Sequence, residues 1–207
     1  ITIAKGSRVG IVGRTGSGKS TLMDLVMGLL SPTKGELQVD GQTIDSERLT
    51  AWQRHIAHVP QYIYLADASI AENIALGEHS KRIDIDRVRK AAQQAQIAEF
   101  IESQRGGYDT QVGERGIQIS GGQRQRIGIA RALYNSDADV LVFDEASSAL
   151  DVCTEAAVME AVSRLDPALT IFIIAHRVQT LGSCDLILKL ENGRLVSCGD
   201  HSELLNF

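Results

Sequence analysis

The 207 residues are enough for one domain with a sizeable core, and 43% of them are apolar, which excludes a disordered segment. Lys plus Arg number 21 and Asp plus Glu 26, a net charge of −5 that argues against a strongly basic nucleic-acid binder. No apolar run approaches the roughly 20 residues of a membrane span. The cysteines at 153, 184 and 198 are odd in number and form no Cys-x-x-Cys pair, so a disulfide framework or zinc site is not expected and reduced thiols are. No signal peptide is visible, and the lack of an initiator Met points to a domain excised from something longer.

In chain order, Ile1–Lys5 reads as an edge or early strand and Arg8–Val12 as a core strand. After a glycine-rich turn, Leu22, Leu25, Val26 and Leu29 predict a helix, stopped by the run from Ser31 to Gly35. Glu36–Val39 with Asp40-Gly41 reads as a hairpin element, and Ile56–Val59 as a short strand closed by Pro60. From about 62 to 139 the apolar spacing is mostly helical. Asp86 is expected to cap one helix there, and Ser120 with Gln123 forms a capping box for a helix running towards Leu133. Val140–Phe143 and Thr170–Ala175 are buried-strand runs separated by a helix from about Cys153 to Leu165. Asp185–Leu190 and Arg194–Ser197 flank the hairpin turn Glu191-Asn192-Gly193, and Asp200 with Glu203 opens a short terminal helix. The sum is an α/β chain with a mostly parallel sheet. The core comprises about 1–61 and 140–207, and a helical subdomain about 62–139 is inserted into it.

Gly13-Arg14-Thr15-Gly16-Ser17-Gly18-Lys19-Ser20 is a complete G-x-x-x-x-G-K-S run between a strand and a helix. Its glycines let successive backbone N–H groups converge on phosphate oxygens, and the helix N-terminus favours negative charge. Lys19 is expected to reach β- and γ-phosphates and Ser20 to hold Mg²⁺. Asp144 and Glu145 end a buried strand at the sheet edge where open α/β sheets bind ligands. There Asp144 suits the Mg²⁺ shell, and Glu145 suits polarising the attacking water or accepting its proton. His176 follows another strand to the same edge, where it can donate to the γ-phosphate or orient the water. Gln61 can touch Mg²⁺ or water; from its position alone a purely structural role is as good. Ser120-Gly121-Gly122-Gln123 is a second anion-binding feature at a helix start.

With these residues in this order, the chain resembles the nucleotide-binding domain of the ATP-binding cassette (ABC) family over essentially all 207 residues. The family's phosphate loop matches 13–20, with Thr21 following, and its Q-loop matches Gln61. Its signature appears as Ile119-Ser120-Gly121-Gly122-Gln123, with Ile in place of the usual Leu. Its Walker B segment matches Val140–Asp144, with Glu145 as catalytic glutamate. Ser148-Ala149-Leu150-Asp151 resembles its D-loop and His176 its switch histidine; Ser147 stands where relatives often have Thr.

The resemblance implies a P-loop NTPase core with an inserted helical signature subdomain and peripheral antiparallel strands. It implies a head-to-tail dimer with ATP and Mg²⁺ between the copies, Lys19 of one copy facing Ser120, Gly121, Gly122, Gln123 and Asp151 of the other. The family's adenine-stacking aromatic finds no room in the 12 residues before Gly13, so the domain reads as truncated at its N-terminus. The 109–116 loop, the 69–74 run and the tail resemble bacterial exporters or flippases of lipid-linked sugars, lipids or peptides. The expected partner is then a transmembrane domain, fused in one polypeptide, at the cytoplasmic face of a membrane. The competing readings are a soluble ABC ATPase of translation or DNA maintenance, and a module that binds ATP without hydrolysing it.

Overall fold

Strand β1 (Arg8–Val12) carries a run of four buried residues and lies in the middle of the sheet. The computed structural model describes residues 1–113, 119–134, 138–144, 152–175 and 181–200, with side chains left out at 152–154. The remaining strands of the main sheet are β4 (Ile56–Val59), β5 (Val140–Asp144), β6 (Thr170–Ile174), β7 (Leu186–Glu191) and β8 (Arg194–Gly199). Their order is β4-β5-β6-β1-β7-β8. β5, β6, β1 and β7 are mutually parallel, and β8 returns antiparallel to β7. Parallel strands are covered on both faces, which is why β5 and β6 read as unbroken apolar runs. The short strands β2 (Gln38–Val39) and β3 (Gln42–Thr43) form a separate antiparallel pair. Both two-residue hairpin turns carry left-handed backbone: Asp40 and Gly41 at φ 50° and 75°, Asn192 and Gly193 at 49° and 74°.

The chain divides into two compact units. The first is Ile1–His58, Ser136–Glu145 and Ala168–Phe207, and the second Val59–Asn135 and Ala146–Pro167. In the first, α1 (Lys19–Val26) lays Met23 and, just past its end, Met27 onto Val9, Ile11, Val142, Phe172, Ile174 and Leu188. Full burial of each such side chain contributes about 1.5–3 kcal/mol. The helix stops three residues before Leu29, which is 61% exposed, because Gly28 turns left-handed at φ 67°. α2 (Leu49–Arg54) secures that end: Trp52 Nε1 donates to Val26 O at 2.8 Å and Gln53 Nε2 to Gly28 O at 3.1 Å.

The second unit is helical: α3 (Ile70–Ile74), α4 (Ile85–Gln94), α5 (Ala98–Ser103), α6 (Gly121–Tyr134) and α7 (Val152–Ser163). α3 begins in a full capping box made by Ser69 and Glu72. α4 is capped by Asp84 and not by Asp86. Asp84 Oδ1 accepts from the N–H groups of Asp86 and Arg87, while Asp86 lies inside the first turn and pairs with Arg89. The expected strand at Ile1–Lys5 is also absent. The chain turns there, with Ser7 N–H donating to Ala4 O, and Ile3 packs against the sheet core from irregular backbone. The expected terminal helix from Asp200 lies outside the described residues.

Asp139, just before β5, ties this N-terminal stretch down. It accepts from Lys5 Nζ and pairs with His55 Nδ1, each at 2.9 Å. The Lys5 and His55 hydrogen bonds hold its carboxyl below the usual carboxylate range. A depressed carboxyl contributes stability above its unfolded-state pKa and loses it as pH falls through the lowered folded value. Asp139→Asn is therefore expected to lower Tm by ~1–3 °C at pH 7, the scale of a surface pair. The difference should vanish once the pH is below the lowered Asp139 pKa, which thermal melts across an acid series would check.

Candidate functional site

In the first unit, the sheet register sets one edge level. Ile174 of β6 stands opposite Ile11 of β1 on one side and Asp144 of β5 on the other. Asp144 and the end of β1 thus lie side by side, two strand spacings or roughly 10 Å apart. The loop from Gly13 leaves β1 at this edge and enters α1. Gly18, at φ 102°, is the N-cap of α1 and offers no side chain to its first-turn N–H groups. Ser17 and Lys19 are each only 5% exposed, whereas Arg14, Thr15, Gly16, Ser20 and Thr21 are exposed. Lys19 Nζ donates to Gly13 O at 2.9 Å and Arg14 O at 3.3 Å.

The loop rests on the turn between β7 and β8. Gly193 N–H donates to Ser17 O at 2.9 Å. A Cβ on Gly13 would come within 2.4 Å of both Leu190 O and Ser17 Oγ. These contacts were not legible in the sequence, where the Asn192-Gly193 turn signalled a hairpin and nothing more.

Four features fit a phosphate ligand with a hard cation. The N-terminus of α1 has no side-chain cap, so its N–H groups suit anionic oxygens. Ser17 Oγ is buried with no hydrogen-bond partner. Gly16, at φ 79°, opens onto space with no protein atom within 4 Å of a built Cβ. Half-buried Asp144 at the same edge supplies a carboxylate of the kind Mg²⁺ prefers.

The second unit carries the other candidates. Gln61 is exposed, and Gln125 Nε2 donates to its backbone carbonyl at 3.2 Å. Ser120 and Gln123 make the expected capping box. Ser120 N–H donates to Gln123 Oε1 at 2.9 Å and Gln123 N–H to Ser120 Oγ at 3.3 Å. That arrangement engages the lone pairs of the Ser120 hydroxyl and not its proton. Gly121 is exposed and Gly122 buried. Glu145, Asp151 and His176 lie outside the described residues.

Comparison with known proteins decides what this loop and its companions belong to. Residues 1–148 match the family model described as ABC transporter. The chain belongs to the ABC transporter family. Its fold is that of the family's ATP-hydrolysing nucleotide-binding domain.

This ABC domain is 46% identical over 205 residues to ABC transporter B family member 18 of Arabidopsis thaliana, covering 99% of the chain and 17% of that protein. It is 46% identical over 203 residues to the beta-(1→2)glucan export ATP-binding/permease protein NdvA of Rhizobium etli, covering 98% of the chain and 34% of that protein. It is 42% identical over 204 residues to the ATP-dependent lipid A-core flippase of Idiomarina loihiensis, covering 99% and 35%. A solved bacterial Atm1-family ABC exporter with ATP bound superposes with a TM-score of 0.85 and 41% identity over 99% of this chain and 35% of that one. The chain thus spans between about a sixth and a third of the length of these relatives. Among the described residues, no helix is long and apolar enough to cross a membrane.

Gly13→Ala is expected to abolish nucleotide binding by the ABC domain, because the methyl would meet a backbone carbonyl that has no room to yield. Stability should fall by about 1–3 kcal/mol. Nucleotide titration and thermal unfolding of the same variant check both.

Proposed function

We propose that this chain binds ATP with Mg²⁺ at the 13–21 loop and hydrolyses it at composite sites formed head to tail with a second nucleotide-binding domain. The turnover drives export or flipping by a transmembrane domain at the membrane face where this chain sits. The observation that carries the reading is the uncapped α1 N-terminus with buried Lys19 behind it, at the sheet edge that also bears Asp144. The names of relatives that export a glucan or flip lipid A-core support the transport half.

Within this reading, N–H groups of the 13–21 loop other than that of Ser17, which donates to Arg14 O, take the phosphate oxygens, and Lys19 turns from its carbonyls towards the β- and γ-phosphates. Ser20, Gln61 and Asp144 are the residues that would hold Mg²⁺. When bound, the ion offsets charge on the phosphate oxygens. Glu145, which follows the last residue of β5, polarises the attacking water or takes its proton. His176 donates to the γ-phosphate or orients that water. From the opposing copy, Ser120 donates its hydroxyl proton, Gly121 and Gly122 present backbone N–H groups, and Gln123 holds Ser120 in place. Asp151 lines the same junction.

Glu145→Gln is expected to lower ATP turnover about 10²- to 10⁴-fold, the usual contribution of a positioned base, while nucleotide binding persists. Phosphate release and nucleotide titration measure the two separately. Turnover equal to that of the unaltered chain would remove Glu145 from the mechanism.

A further inference from the structure

Burial alternates along the stretch that follows Gln61, with Ile63 and Leu65 at 1% exposure and Tyr62 and Tyr64 exposed. Its buried side lies along one face of α6. Three α6 residues spaced by three meet it in succession. Gln125 Nε2 donates to Gln61 O at 3.2 Å. Gly128 brings the helix so close to Ile63 that a Cβ would stand 2.5 Å from Ile63 Cδ1 and 2.8 Å from Cγ1. Arg131 donates through Nη2 to Tyr64 O at 2.9 Å and through Nε to Asn73 O at 2.8 Å. Residues three apart share a helix face, so the rungs form one line.

Beyond the last rung, Asn73 is wholly buried and closes the bend. Its Oδ1 accepts from Ala66 N–H, and its Nδ2 donates to Ala66 O and Ser69 O. Gln125 is itself 8% exposed, and its Oε1 is buried without a partner. A buried orphan acceptor costs free energy. Keeping the glutamine therefore favours a role for the donor it does use, the hold on Gln61.

We infer that Gln125 is a positioning residue for Gln61, holding its backbone carbonyl from α6, with Gly128 and Arg131 as supports along the residues that follow. The inference rests on the proposed contact of Gln61 with Mg²⁺ and deepens it.

The test compares Gln61→Ala, Gln125→Met and their combination in the full chain. Met keeps the length of Gln125, removes the donor and removes the orphan oxygen. Two quantities are read: the Mg²⁺ concentration giving half-maximal ATP hydrolysis, and backbone ¹⁵N order parameters at 61–64 without nucleotide. Gln125→Met is expected to raise the half-activating Mg²⁺ concentration about three- to tenfold, the size of one neutral hydrogen bond. Order parameters at 61–64 should drop towards the flexible range, below ~0.6. The combined variant should add nothing to Gln61→Ala, since both act through one group.

If Gln61→Ala shifts the Mg²⁺ dependence and Gln125→Met leaves it unchanged, the positioning role is overturned while the reading of Gln61 stands. If Gln61→Ala shifts nothing, that reading falls, and the order parameters alone decide the positioning role. A drop confined to 61–64 upholds it and unchanged values overturn it. Should Gln125→Met fail to fold, Arg131→Lys replaces it under the same criteria, because lysine keeps the charge and loses the fork that reaches both carbonyls.

Discussion

An ammonium group in a residue only 5% exposed must find oxygen partners, and Lys19 finds them in the carbonyls of its own loop, Gly13 and Arg14. That requirement bends the loop back over the start of α1 and orients its carbonyls inward. Within the loop Ser17 N–H donates to Arg14 O at 3.0 Å, and the α1 N-terminus beyond it carries no side-chain cap. The loop can hold this shape only where side chains are missing: at Gly13, which presses on Leu190 O, and at Gly18, whose φ of 102° a side chain would resist. The sheet register, the turn at Gly193 and the level ends of β1 and β5 keep this loop at the same sheet edge as Asp144.

Sequence patterns disclosed the features whose cause is local. The unbroken apolar runs of β5 and β6, the Asn192-Gly193 turn and the Ser120–Gln123 capping box each depend on residues a few positions apart, and each appears where expected. The errors have physical sources. Ile1–Lys5 has strand-like composition but turns at Ala4–Ser7 and is anchored by the Lys5–Asp139 pair. Asp84 and Asp86 are both competent caps, and only the backbone path selects the first. The phosphate loop was legible as a motif, whereas its seat on Leu190 and Gly193 joins residues far apart in the chain. The hold of Gln125 and Arg131 on the 61–64 stretch is of the same kind. Nothing in a glutamine or arginine on a helix announces which distant carbonyl it will meet.

Within the second unit, α6 is shared by tasks of different character. Its first turn exposes Gly121 and engages Ser120, while its middle is buried against the 61–65 stretch. Arg131 keeps a guanidinium there although burial lowers its pKa, because backbone carbonyls at Tyr64 and Asn73 take its donors. A glycine at 128 supplies the close approach that a larger residue would deny. An exposed, capped start and a closely packed middle are thus written on one fourteen-residue segment.

The position of β1 in the sheet also governs how the protein is made. Both of its neighbours, β6 and β7, are encoded far downstream; Arg8 pairs with Ile171 and Val9 with Leu186. At a synthesis rate of roughly 5–20 residues per second, the strand leading into the phosphate loop waits on the order of 10–30 seconds for its first partner. During that interval an apolar strand has two unpaired edges and the loop has no Gly193 beneath it. The loop after β1 leaves the ribosome well before β6 and β7 and is completed only after they have followed it. This part of the chain therefore depends most on being shielded until the C-terminal strands arrive.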